Sequence, residues 1–505
     1  MTHPPSDTAI AERALGHLQA AVAIDSASDE DSPTIPSTPG QARLAAAVGE
    51  QFAAYGCSVE QDAHANVIAT LPGRGALADA EPLALMVHLD TAKGTEAVPS
   101  LDVERAWDGE RIPWSGNPDI RVDVATYPSL QEFVGQAVVH GSGAAPFGLD
   151  DKLGLTHMLT LAWLLRERPE VPHPTLLFIG RPDEEIGRME ALEGLATLLA
   201  ERGVRSGYTV DGIEPFEVNV ENFEAAGASV TFGEHEVPTD GALVAGRLRG
   251  VNTHGATAHA EGHRAATRLA AEVRTRAGCR VVGFASDPHR DCDADVVFAG
   301  DGASIRAALD AVVGPHRDRG AGWDEQPVPD GFTPSGAADA MAAWVQEFMD
   351  SEPGFTLLAE DSAGRDGYSA PYRAFPVERG VRLDVRLRDF ERSGLERRIQ
   401  HVVRLGGAGV SVTEQYVNMG PRLADRPELV QWARAAGEAI GEDVRTLPIR
   451  GGTGVDPFLD AGVAVANLGT GYFAPESEKE LTSLEMLVGH AKWLLALVQQ
   501  VGAGR

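Results

Sequence analysis

The sequence predicts an α/β protein, a mainly parallel sheet with helices on both faces, interrupted by a smaller α+β domain. Three observations predict it. Short apolar runs at 83–87, 175–179 and 208–210 suit strands buried on both faces, and a helical pattern at about 152–166 separates the first from the second. After Glu221 the pattern changes to alternating stretches at 228–232 and 381–387, which suit antiparallel strands with one wet face. The chain has 505 residues and 43% hydrophobic content, enough for real cores in more than one domain.

In chain order, residues 7–21 and 41–55 read as amphipathic helices on either side of the turn-rich segment at 32–41. The strand and helix patterns of the parallel sheet follow. Helices near 261–276 and 391–404 belong with the alternating strands. About a hundred residues separate the lid helix ending near Gly278 from the strand at 381, too many for a loop in a compact domain. V-V-F-A at 296–299 reads as a strand, and 302–313 and 337–350 read as helices, so an extra α/β unit is expected over about 279–350. From 427 the chain returns to helix, strand and helix, ending in an apolar-striped helix at about 483–501. The expected division is therefore 1–222 and 417–505 for the main domain, with 223–416 as an inserted lid.

The formal charge of −31, from 74 acidic and 43 basic residues, disfavours nucleic acid and anionic membranes as partners. No apolar run approaches the ~20 residues needed to span a bilayer, and no N-terminal leader pattern is present, so the expected compartment is the cytoplasm. Cys57, Cys279 and Cys292 are too few and scattered for a disulfide framework and are expected as buried thiols.

Four motifs lie in one order: H-L-D-T at 88–91, G-L-D-D-K at 148–152, D-E-E-I-G at 183–187 and V-D-G at 210–212. Each places a carboxylate or imidazole near the end of an apolar run, where strand ends in an open α/β sheet converge on a crevice. Taken singly, H-x-D is commonly structural, D-D-K caps a helix, a Glu-Glu pair is solvated and V-D-G is a turn. Taken together they supply what a dinuclear hydrolytic site needs: His88 as a ligand, Asp90 behind it, Asp150 as a candidate bridge, Glu184 and Glu185 for base and ligand, and Asp211 to complete the set. If the chain is extended at 184–185, the two glutamates point to different sides.

The chain resembles the peptidase T (tripeptide aminopeptidase) branch of the dinuclear zinc exopeptidases and aminoacylases. Besides the four motifs, the matching stretches are I-P-S-T-P-G-Q at 35–41, E-N-F-E-A-A at 221–226, N-T-H-G-A-T-A at 252–258, L-R-D-F at 387–390 and I-R-G-G-T at 449–453. The resemblance implies one metal ion held by His88, Asp150 and Asp211, and a second held by Asp150, Glu185 and a C-terminal histidine. It implies Glu184 as general base, His254 as a lid histidine near the scissile group, and Arg388 and Arg450 as holders of substrate carboxylate or carbonyl oxygen. Where the family has its C-terminal histidine, this chain reads G-T-G-Y-F-A-P-E-S-E-K-E at 469–480, and register on the following L-E puts Glu476 there, with Glu478 or Glu480 as fallbacks.

The expected activity is metal-dependent hydrolysis of a small peptide, with two divalent ions, zinc first and manganese or cobalt as alternatives. Two other readings remain open: an amidase or deacylase acting on a specialised metabolite, motivated by Glu476 and the enlarged lid, and a non-catalytic binding protein on a decayed peptidase scaffold. The resemblance also suggests a homodimer through the lid.

Overall fold

The computed structural model describes residues 4–251, 264–288, 290–351 and 367–502. The chain first lays down β1 (Ser58–Gln61), β2 (Val67–Leu71), β3 (Leu83–His88), β4 (Asp102–Glu104) and β5 (Val138–His140). It continues with β6 (Leu176–Arg181), β7 (Ser206–Gly212) and β8 (Val218–Asn219). Next come β9 (Glu224–Gly233), β10 (Ala242–Arg249), β11 (Arg280–Ser286), β12 (Ala294–Gly300), β13 (Gly322–Gln326), β14 (Tyr368–Val377), β15 (Gly380–Asp389) and β16 (Val410–Tyr416). Last are β17 (Ala464–Gly469) and β18 (Leu481–Ser483).

A seven-stranded sheet in the order β1-β2-β6-β3-β7-β17-β8 forms the main layer. Its centre is parallel, β3 pairing with β6 and β7, and β7 with β17, while the outer pairings β1-β2, β2-β6 and β17-β8 are antiparallel. Every residue of β3 and β6 is buried, as the uninterrupted apolar runs require. Parallel pairing brings His88 level with Arg181, so β3 and β6 end together beside β7 at one edge. There the strand order reverses, and side chains from three strands share one crevice. The helix Leu149–Glu167 packs on β3 and β7 and against the helices Asp7–Val22 and Leu484–Gln500. A Cβ at Gly154 would lie 1.8 Å from the Val210 carbonyl oxygen, so glycine there lets the helix settle onto β7. Ser483 caps the last helix by accepting from the Met486 N–H.

Two four-stranded antiparallel sheets build the inserted domain, β14-β15-β9-β16 and β11-β12-β10-β13. The helices Gly302–Val313 and Gly336–Ser351 accompany the second, over the stretch where an added unit was expected. The α/β class with a mainly parallel sheet and a separate lid is present. The sequence reading missed a three-stranded sheet, β18-β5-β4. Its strands are only three residues long, too short to show periodicity, and it adjoins a satellite core of Trp107, Trp114, Tyr127 and Phe133. Cys57, Cys279 and Cys292 are buried free thiols. Among the described residues, no helix is long and apolar enough to cross a membrane.

Candidate functional site

At the end of β3 the His88 ring is buried, with its two nitrogens facing different partners. Nε2 lies 2.9 Å from Asp150 Oδ1 and 3.4 Å from Asp211 Oδ1. Nδ1 lies 3.0 Å from the Asp90 carbonyl oxygen and 3.4 Å from Asp90 Oδ1. Asp90 thus stands behind the imidazole, and its two carboxylate oxygens accept the backbone N–H groups of Glu184 and Glu185 at 3.0 and 3.1 Å. One aspartate therefore fixes both the histidine ring and the turn carrying the paired glutamates.

That turn corrects one expectation. Residues 184–187 are not extended: the Gly187 N–H donates to the Glu184 carbonyl at 2.8 Å, and Asp183 has φ +53°. The two Asp90 contacts and a buried network hold the turn, in which Asp183 accepts from the Ser37 N–H, the Ser37 hydroxyl and Gln41 Nε2. The I-P-S-T-P-G-Q segment is thereby tied to the D-E-E-I-G motif.

Two clusters of ligand-type atoms result, His88 with Asp150 and Glu185, and His88 with Asp151 and Asp211, each within 4.8 Å. Asp151 was not singled out from the sequence. Its Oδ2 accepts from the His88 N–H and its Oδ1 from the Gly154 N–H, so it links β3 to the start of the long helix. Asp150, just outside regular helix at φ −83° and ψ 108°, also accepts from the Tyr472 hydroxyl at 3.0 Å.

Burial, reinforced by neighbouring carboxylates, raises these acids. Asp211 is pushed up to about 7 by burial, with Asp150 adding to the shift and His88 opposing it. Burial raises Glu185 well above the usual carboxylate range, with Glu476 and then Asp150 adding to it. Burial also raises Glu184, opposed by Arg181 and His88. For His88, burial alone would lower the imidazole, but Asp211, Asp150 and Asp90 raise it overall. Glu185 Oε1 is buried with no hydrogen-bond partner among the described residues. Crowded buried carboxylates and an orphaned oxygen around one imidazole fit divalent cations, whose charge removes the repulsion.

Glu476, at φ +53°, lies within electrostatic reach of Glu185 and of Arg386. Its N–H donates to Glu480 Oε1 at 3.0 Å. Glu480 is engaged by backbone: its Oε2 accepts the N–H groups of Phe147, Gly148 and Leu149 at 3.0, 2.9 and 3.3 Å, clamping the loop that delivers Asp150. Glu478 pairs with Arg290 of the inserted domain at 3.5 Å. Arg388 and Arg450 meet at a small aromatic cluster of Phe223, Tyr368, Phe390 and Tyr416. The Arg388 guanidinium lies 5.3 Å from the Tyr416 ring centre, and that of Arg450 5.4 Å from Phe223. His254 lies outside the described residues.

Comparison with known proteins agrees with this frame. Residues 131–500 match the sequence profile of peptidase family M20/M25/M40. Peptidase T of Exiguobacterium sibiricum is 26% identical over 494 residues, covering 94% of this chain and 95% of that protein. Peptidase T of Bacillus cereus is 31% identical over 258 residues, covering 50% of this chain and 57% of that protein. Two solved structures share the fold. They are aminopeptidase PepT from Bacillus cereus, with TM-score 0.52 and 16% identity over 97% of this chain and 98% of that one, and a tripeptidase from Staphylococcus aureus, with TM-score 0.53 and 15% identity over the same shares. The chain belongs to peptidase family M20/M25/M40, in which it is a peptidase T-like hydrolase.

Proposed function

We propose that this hydrolase releases the N-terminal residue of a small peptide, using a water activated at a pair of divalent metal ions. The observation that carries this reading is the gathering of Asp150, Glu185 and Asp211 around the His88 imidazole, with a buried Glu185 oxygen left unpartnered among the described residues. The names of the similar proteins, peptidase T, an aminopeptidase and a tripeptidase, supply the substrate class.

His88, Asp150 and Asp211 would hold one ion, and Asp150, Glu185 and Glu476 the other, with zinc first and manganese or cobalt as alternatives. Bound there, the ions would supply Lewis acidity and make a water acidic enough to lose a proton near neutral pH. Glu184 takes the proton as the water oxygen attacks the scissile carbonyl carbon, then returns it to the leaving amine as the C–N bond breaks. Asp90 keeps Nδ1 of His88 occupied and leaves Nε2 on the side of Asp150 and Asp211, where it would serve as a ligand atom. Arg388 and Arg450 bind carboxylate or carbonyl oxygens of the peptide, and His254 of the lid stabilises the oxyanion. In this reading residues 1–222 and 417–505 form the catalytic domain, and 223–416 the lid.

The test is mass-spectrometric detection of products from di- and tripeptides and N-acyl amino acids, with zinc or manganese and a chelator control. Metal-dependent release of the N-terminal residue is expected. Cleavage of only the N-acyl compounds would move the assignment to an amidase, and no cleavage of any member would overturn it.

A further inference from the structure

A buried arginine at the end of β6 has no part in the reaction so far. Arg181 is 1% exposed, and its partner in register on β3 is His88. A guanidinium does not shed its charge, so burying it is costly unless its donors are met. Nη2 donates to the Thr453 carbonyl at 2.9 Å. Nε is buried without a hydrogen-bond partner among the described residues. The same Nη2 lies 3.7 Å from Oε1 of Glu184.

The surroundings are shaped to admit this group. A Cβ at Gly454 would lie 2.6 Å from Nη2 and 2.8 Å from Nη1, and Gly454 has φ +55°, so glycine leaves the guanidinium its place. The loop from 449 to 454 also carries Arg450, and its ends are tied to the catalytic chain by the Ile449 N–H to the Glu221 carbonyl and by Arg181 to Thr453. One buried cation thus touches both the carboxylate read as the base and the loop read as holding substrate. An uncharged side chain would fill this position at lower cost to folding.

We propose that Arg181 is a positioning residue whose guanidinium fixes the Glu184 carboxylate relative to the 449–454 loop. The inference rests on Glu184 being the general base.

The test compares Arg181→Met, Arg181→Gln and Arg181→Lys in the metal-loaded protein, alone and combined with Glu184→Gln, on a cleaved peptide. The readouts are kcat, KM and metal content by inductively coupled plasma mass spectrometry. Arg181→Met and Arg181→Gln should lower kcat by roughly tenfold or more, a fraction of what a general base contributes. Metal content should be unchanged and the change in KM small, and Arg181→Lys should recover part of kcat. In the Glu184→Gln background, Arg181→Met should cost nothing further. Near-normal kcat in the Met and Gln variants, no recovery by lysine, loss explained by missing metal, or full additivity with Glu184→Gln would each overturn the inference. Full activity of Glu184→Gln alone would instead overturn the base assignment, a separate outcome.

Discussion

At the residue scale, the site is built from side chains that hold other side chains. Asp90 contacts His88 Nδ1 and both glutamate N–H groups, and Tyr472 donates to Asp150. Glu184→Gln keeps shape and hydrogen-bonding capacity but cannot take a proton. It should lower kcat by about 10²- to 10⁴-fold, with metal content by mass spectrometry unchanged. Retention of full kcat would remove Glu184 from the role. Tyr472→Phe deletes only the hydroxyl that Asp150 accepts, and a supporting hydrogen bond of this kind is worth about 10- to 100-fold in metal affinity. Competition with a chelating indicator should show that weakening, and unchanged affinity would mean the hydroxyl does not tune Asp150. In both cases the residue type is visible in the sequence, but a partner that fixes it lies more than 90 positions away, Asp90 for the Glu184 N–H and Asp150 for the Tyr472 hydroxyl.

At the element scale, Leu149–Glu167 and Leu484–Gln500 meet through stacked rings, His157 and His490, whose centres are 4.9 Å apart, with Phe216 stacked on His490 at 4.5 Å. His157 Nε2 donates to the Thr470 carbonyl at 3.0 Å, and burial lowers its imidazole to about 4. Burial, with His157 adding to it, lowers His490 well below the ordinary value. The unfolded chain therefore binds more protons between pH 6.5 and 4, and stability is lost as pH falls through that window. For His157 the loss is on the order of 3 kcal/mol. His157→Gln keeps a donor for Thr470 but does not titrate. Urea unfolding of the metal-loaded protein should show a shallower acid decline for the variant, and equal slopes would contradict a neutral buried His157. The helices themselves were legible from their apolar stripes. Their pairing through two histidines 333 positions apart in total span of chain was not, because a lone histidine on an apolar face carries no sign of what it faces.

At the scale of the whole molecule, ion pairs cross between the inserted domain and the rest. Arg290 reaches Glu478 at 3.5 Å, beside the loop carrying Glu476, and Arg373 reaches Glu30 at 3.4 Å. The segment between β11 and β12 thus leans on the site loop. The Arg373–Glu30 pair is partly exposed and is worth roughly 1 kcal/mol or less, whereas Glu478 is buried beneath Arg290. Replacing both Arg290 and Arg373 by alanine should loosen the lid and raise the radius of gyration in small-angle X-ray scattering. An identical scattering curve would mean that apolar packing alone holds the two parts together.

Residue order alone settled what depends on local pattern: the α/β class from uninterrupted and alternating apolar runs, the long helices from their periodicity, and the motif positions at strand ends. Tertiary structure decided what depends on contacts between distant segments. It folded 184–187 into a turn because Asp90 binds both glutamate N–H groups, and it brought Asp151 beside His88. It turned Glu480 onto the loop before Asp150 and set Arg181 against the Thr453 carbonyl. The three-residue strands β4, β5 and β18 likewise exist only through one another, since a strand that short has no stability or pattern of its own. The physical reason is the same throughout: periodicity is a property of neighbours in sequence, whereas charge pairing and hydrogen bonding at a buried site belong to neighbours in space.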